Sequence, residues 1–175
     1  MDMQKLVKQY VKIVSDTHFE SGVNIIKERL NISEDEATNF SKSYELAEIK
    51  AIRDRFNNKK NDAKESFKFK DFEEFYYWFK AQNDKCYYCG STQDMLNGVF
   101  DSKKIESKKP SFTATLQIDK KDPDNGYKAD NCVLACVLCN NAKSDMINDE
   151  NFKNYFGEAI GKFVADLYKG VITNK

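Results

Sequence analysis

Four of the five cysteines stand in two pairs, Cys86-x-x-Cys89 and Cys136-x-x-Cys139. A CxxC places two thiolates on one side of a tight turn, and two such turns supply a tetrahedral sulfur set for zinc. Gly90, directly after the first pair, suits the sharp backbone of such a knuckle. A disulfide suits an oxidising compartment, and a redox CxxC needs a thioredoxin-like βαβ unit that neither pair has around it; zinc explains the pattern better. Four protein ligands leave no position for water or substrate, so such a site is structural, and the chemistry must lie elsewhere. Cys132 stands outside both pairs and reads as a buried core thiol.

The 46 residues between the pairs must themselves be folded. The run from Ile118, IDKKDPDNGYKADNCVLACVLCNNAK, joins an Asp at a strand end, a Gly-Tyr, an Asn before a second strand, and a knuckle cysteine followed by Asn and Lys. With the preceding Phe72 to Gly90 segment, an aromatic helix running into CYYCG, it resembles the zinc-bearing branch of the HNH nucleases, the ββα-metal group, in bacterial and phage members. The resemblance covers residues 70–148 and leaves the first 65 or so uncovered.

The resemblance implies phosphodiester cleavage. Asp119 would close the first strand and Asn140 open the following helix, so that their oxygens converge on one divalent cation. Mg2+ (or Mn2+) suits such a site, completing its shell with waters and phosphate. Asn131 matches the family's central Asn, which pins the loop. Lys143, one turn after Asn140, is a candidate phosphate contact. Asp122 is a candidate support for the loop. The chain departs from the family where a His usually follows the metal-binding Asp as general base, because Lys120 stands there. A lysine near its reference pKa of about 10.4 is protonated at neutral pH and accepts no proton. Lys120 would then stabilise the developing phosphorane charge, with the base supplied by Tyr127 or a phosphate-bound water, unless desolvation lowers it into the base role. Some rare-cutting HNH restriction nucleases with two CxxC zinc sites also carry a basic residue after the Asp. The sole histidine, His18, lies about 100 residues upstream and reads as a surface residue.

The elements that must position these groups change character along the chain. The first 80 residues read as helical: Leu6, Tyr10 and Ile13 share a face, and Ser33 with Glu36 makes a capping box for a long helix through Phe56. Asp71 and Glu74 repeat the pattern before Phe72, Phe75, Tyr76 and Phe79, a stripe that reads as core. Ser111 to Ile118 alternates and predicts a strand; Cys132 to Ala135 predicts a second; Asn140 to Met146 predicts a short helix. Phe152, Tyr155, Phe156, Ile160, Phe163 and Leu167 mark a C-terminal amphipathic helix. The expected architecture is α+β: a helical region over residues 1–69, then a zinc-stabilised ββα-metal domain over 70–175.

In 175 residues, two Pro and seven Gly with 41% hydrophobic and 32% charged residues exclude collagen and most disorder. No apolar run approaches the roughly 18 residues of a membrane span, and the N-terminus has no signal-peptide order, so a cytoplasmic protein is expected. Net charge is zero, 28 basic against 28 acidic residues, so placement decides nucleic-acid affinity. Lys50 to Lys70 holds eight basic and three acidic residues, including Arg53, Arg55, Lys59 and Lys60, and Lys103 and Lys104 begin a second cluster. Both are candidate DNA-backbone contacts, although a solvated face is an equal reading. The expectation is a metal-dependent DNA endonuclease, restriction-like or phage-type, acting as a homodimer. The alternatives are a non-catalytic zinc-stabilised nucleic-acid-binding module and an RNA-cleaving defence nuclease.

Overall fold

The computed structural model describes residues 2–174 and divides by contact into two compact units, the first ending at Ala81 and the second starting at Gln82. The division falls later than the expected boundary at residue 69, because the aromatic helix before the first knuckle shares its core with the helices upstream.

The first unit is helical. Asp2 caps α1 (Met3–Asp16), α2 (Val23–Leu30) follows, and Ser33 caps α3 (Glu34–Ser41) through a full capping box with Glu36. The single long helix predicted from Ser33 is two: Ser43 accepts from the Leu46 backbone N–H and starts α4 (Tyr44–Ala63). A serine oxygen that offers a cap also offers a break, since it satisfies the first-turn donors without a preceding turn. Asp71 caps α5 (Phe72–Lys80), and Glu74 accepts from the Lys70 backbone N–H at 2.6 Å. The aromatic stripe is buried against other rings: Phe75 has Phe56 at 5.4 Å, Phe69 at 5.1 Å and Trp78 at 5.4 Å between centroids.

The second unit carries the knuckles. After the first knuckle come α6 (Gln93–Asp101), the antiparallel pair β1 (Gln117–Lys120) and β2 (Cys132–Ala135), and α7 (Val137–Lys143). The register sets Ile118 opposite Leu134 and Asp119 opposite Val133. The strand expected from Ser111 starts only at Gln117. Its partner β2 has four residues, and Gln93 takes the backbone that would have paired, donating to Ala114 O at 2.8 Å and accepting from Leu116 N at 3.0 Å. The predicted helix over 140–146 lies earlier, so Asn140 sits in the middle of α7 and Lys143 ends it.

The C-terminal helix is interrupted. α8 (Asp149–Phe152) runs through a π-turn, Lys153–Gly157, into α9 (Glu158–Lys169). The wide turn shifts the register, leaving Tyr155 77% and Phe156 47% exposed although helical spacing had put both on the apolar face. It also sets two glycines against the first knuckle: a Cβ at Gly157 would lie 2.5 Å from Tyr88 O, and one at Gly161 2.5 Å from Cys89 O.

Candidate active site

The two knuckles bring four sulfurs together, all within 4.8 Å of one another. A Zn–S bond of about 2.3 Å implies tetrahedral edges of about 3.8 Å, and Cys89 Sγ lies 3.8 Å from Cys136 Sγ. No cysteine is in a disulfide. The close sulfur neighbours shift the four thiols in opposite directions, Cys86 and Cys89 down and Cys136 and Cys139 up, so the case for a metal rests on the geometry. The backbone supports the set: Gly90 takes φ 73°, Tyr87 N donates to Leu134 O at 2.8 Å, and Cys136 Sγ accepts from Cys139 N at 3.4 Å. The four thiols can therefore hold a structural metal such as zinc. Cys132 is buried, as expected of a core thiol.

A separate cleft of about 270 Å³ is lined by Asp119, Lys120, Pro123, Tyr127, Asn140 and Lys143, among others. β1 delivers Asp119 and Lys120, and α7 delivers Asn140 and Lys143. Asp119 is only 8% exposed. Its Oδ2 accepts from the Tyr88 hydroxyl at 2.7 Å and lies 3.5 Å from the Lys143 ammonium. Burial pushes the Asp119 carboxyl above the ordinary carboxylate range; Tyr88 and Lys143 work against that shift. Burial foremost, then the bond to Asp119, raises the Tyr88 phenol well above its usual value, so Tyr88 keeps its proton and acts as a donor.

Lys143 is the most buried ammonium of this site, 1% exposed. Besides Asp119 it donates to Lys120 O at 2.8 Å and Ser144 O at 3.4 Å. Its charge is thus directed at Asp119 and the end of β1, not outward as a phosphate contact would be. Lys120 donates to Pro123 O and has its ammonium 5.3 Å from the Tyr127 ring. Asn140 Nδ2 donates to Gln117 Oε1 at 2.7 Å, which assigns its amide nitrogen and turns its carbonyl oxygen to other partners.

Asn131 is buried and holds the loop between the strands. Its Nδ2 donates to Asp122 O and to Gly126 O, both at 2.8 Å, and its Oδ1 accepts from Asp122 N at 3.0 Å. Asp122 in turn accepts from Asp124 N and Asn125 Nδ2, so the loop carrying Tyr127 is closed by side chains at both ends.

The basic residues divide. Arg53 is turned onto aromatic rings of the first unit, 4.7 Å from Phe72 and 5.4 Å from Phe56, and its Nη2 donates to Thr17 O. Arg55 lies 5.2 Å over Phe79 and Lys60 5.7 Å over Phe56. Lys104 donates to Leu167 O at 2.7 Å and Tyr168 O at 3.4 Å, satisfying the carbonyl end of α9. Lys103 is exposed, while Lys59 is half-buried. His18 is exposed in the first unit. Sequence reasoning missed Tyr88 and Gln117, the hydrogen-bond partners of Asp119 and Asn140. The signal for Tyr88 was its place inside the knuckle, where the fixed turn dictates the direction of the side chain.

No family model matches the chain, and no curated protein matches it. Among solved structures the chain is similar to PacI, described as a rare-cutting HNH restriction endonuclease with an extraordinary mechanism of DNA perturbation. The identity is 27%, the TM-score 0.51, and the match covers 63% of this chain and 77% of that one. Among the described residues no helix is long and apolar enough to cross a membrane. In its fold the chain is similar to an HNH restriction endonuclease, and its own two cysteine knuckles bring four thiols together.

Proposed function

We propose that the protein is a metal-dependent DNA endonuclease that hydrolyses phosphodiester bonds, restriction-like in type. The observation that carries this reading is the shared cleft of Asp119 and Asn140, delivered by β1 and α7 of a unit that also gathers four thiols. The donor set suits a hard cation: one carboxylate and one carboxamide oxygen, which is what Mg2+ takes from a protein before waters and phosphate complete its shell. Asp119 and Asn140 would hold the ion, which supplies Lewis acidity to the scissile phosphate.

The rest falls to the chain itself. Tyr88 and Lys143 fix the Asp119 carboxylate on its Oδ2 edge, and Gln117 fixes the Asn140 amide, so both ligands are oriented before substrate arrives. Lys120, a donor to Pro123 O, serves as a cation beside the phosphate and stabilises charge as it develops, rather than acting as the base. Tyr127 lines the same cleft and would orient the attacking water by a hydrogen bond, while the water's proton passes to a phosphate oxygen. Asn131 keeps the Lys120–Tyr127 loop in one conformation. Zinc on the four cysteines would be structural, and exposed lysines, Lys103 among them, would meet the DNA backbone.

The test is incubation of zinc-loaded protein with supercoiled plasmid and Mg2+ or Mn2+, with RNA offered in parallel. Nicking or linearisation by the parent, lost in Asp119→Asn with zinc and circular dichroism unchanged, is the expected result. Plasmid binding without cleavage under any divalent ion refutes the enzyme and leaves a binding module; cleavage of RNA alone refutes the DNA assignment.

A further inference from the structure

Tyr87 and Tyr88 are neighbours in the first knuckle and serve different places. Tyr88 reaches inward to Asp119; Tyr87 lines a separate cavity of about 520 Å³ on the knuckle itself. Lys85, Lys153, Gln82 and Asn83 line it as well, together with the knuckle backbone. The Lys153 ammonium stands over the Tyr87 ring, 4.2 Å from its centroid, so a base that stacks on that face displaces this exposed side chain toward its own phosphate. Both lysines are exposed, and Tyr87 is 37% exposed. No carboxylate lines the cavity among the described residues, although Asp149, which hydrogen-bonds the Tyr87 phenol, and Glu150 stand near it and, after burial, raise it. Tyr87 is held in place rather than loose: its ring is 5.2 Å from Tyr88, which is 5.2 Å from Phe152, and Lys153 comes from the π-turn that the C-terminal helix anchors on the knuckle.

The chemistry of this cavity differs from that of the catalytic cleft. It offers an aromatic face, two ammonium groups and two carboxamides, the set that receives a nucleotide by stacking, phosphate attraction and base-edge hydrogen bonds. We propose that the knuckle cavity is a second nucleic-acid subsite, which takes an unpaired nucleotide of the DNA strand whose phosphate occupies the Asp119 cleft. The proposal rests on the endonuclease reading for its substrate. Its physical support is the ring ladder, which ties the Tyr87 platform directly to the Tyr88–Asp119 pair, so that the two sites are held in fixed relation.

The structural rival is charge compensation: four thiolates on zinc carry a net charge of about −2, and Lys85 and Lys153 would neutralise it. A binding experiment separates the two. In an Asp119→Asn background without added divalent ion, a fluorescein-labelled single-stranded oligodeoxynucleotide is titrated against the parent, Tyr87→Ala, Tyr87→Phe, Lys153→Ala and Lys85→Ala, with zinc content measured for each. Stacking predicts that Tyr87→Ala weakens binding roughly 5- to 150-fold while Tyr87→Phe binds within about threefold of the parent. Each lysine variant should lower the salt slope by about 0.7 with zinc retained. The proposal is overturned if Tyr87→Ala and both lysine variants bind as the parent does, or if the lysine variants lose zinc and leave binding intact. Should Tyr87→Ala itself lose zinc, the lysine variants decide. Failure of this subsite alone leaves plasmid cleavage and oligonucleotide binding in place, whereas a parent that binds no DNA overturns both readings.

Discussion

Removing the Asp119 carboxylate should cost stability as well as activity, and its partner Lys143 sets the size of the loss. The Lys143 ammonium is 1% exposed, and Asp119 at 3.5 Å is the acidic group in its ion pair; its other acceptors are carbonyls. Asp119→Ala leaves that charge buried, a loss of about 3–5 kcal/mol. Lys143→Met leaves the carboxylate buried with the Tyr88 hydroxyl as remaining donor, for a comparable loss. The double variant removes both charges and should cost less than the sum, by a coupling of about 1–3 kcal/mol. With a urea m-value of roughly 1–3 kcal/mol/M, each single change moves the midpoint by about 2 M. The assay is urea unfolding of the zinc-loaded proteins followed by far-UV circular dichroism. Additivity to within about 0.5 kcal/mol would refute the buried pair. A practical consequence is that lost cleavage in Asp119→Ala reports on chemistry only beside an intact unfolding transition; Asp119→Asn removes the same charge but keeps an acceptor oxygen for Tyr88, and needs the same control.

Tyr88→Phe should destabilise by about 1.5–3 kcal/mol at neutral pH, the value of a buried hydrogen bond to a charged group. Burial already holds the Asp119 carboxyl above its unfolded value, so its stabilising contribution is full at acid pH, where it is neutral, and is lost as pH rises through the folded value; Tyr88 limits that loss. The Tyr88→Phe deficit should therefore shrink as pH falls through the Asp119 carboxyl, and a pH-independent deficit in urea midpoints would contradict the assignment. Asn131→Ala removes three loop hydrogen bonds at 2.8–3.0 Å and should cost about 2–3 kcal/mol in the same assay. Gly157→Ala forces a Cβ to 2.5 Å from Tyr88 O, an overpacking loss of about 1–3 kcal/mol visible in thermal melts. A strong zinc chelator should unfold the second unit while the helical first unit keeps its own transition, because zinc contributes on the order of 10–16 kcal/mol against a domain stability of about 5–15 kcal/mol. Retention of the full melt by a zinc-free protein would contradict the four-thiolate site.

Much of the scaffold was readable because its signals are local. The capping box at Ser33, the cap at Asp71 and the two CxxC turns each lie within four residues, and each appears in the structure. What escaped depends on partners far along the chain. Ser43 could be a helix-interior serine or a cap, and only the packing of α4 decides. The strand alternation of Ser111 to Leu116 was real but had no partner, because β2 ends at Ala135 and Gln93 takes the backbone instead. Arg53 and Lys104 looked like surface charge; one lies on the rings of Phe56 and Phe72 and the other satisfies carbonyls 63 and 64 residues away. At the site, Asp119, Asn140 and Lys143 were picked out by resemblance, and all three line one cleft. The inward turn of Lys143 and the Tyr88 contact, 31 residues from Asp119 in sequence, were not, because burial and hydrogen-bond choice are set by tertiary packing.

Cleavage by this protein requires that Asp119 and Asn140 together hold a divalent ion. Crystals of the zinc-loaded protein soaked in Mn2+, with anomalous maps recorded near the manganese edge, address it directly. A peak is expected in the cleft within about 2.0–2.4 Å of an Asp119 oxygen and the Asn140 carbonyl oxygen, absent in Asp119→Asn. A peak elsewhere, or density in the cleft explained fully by the Lys143 ammonium, would contradict it.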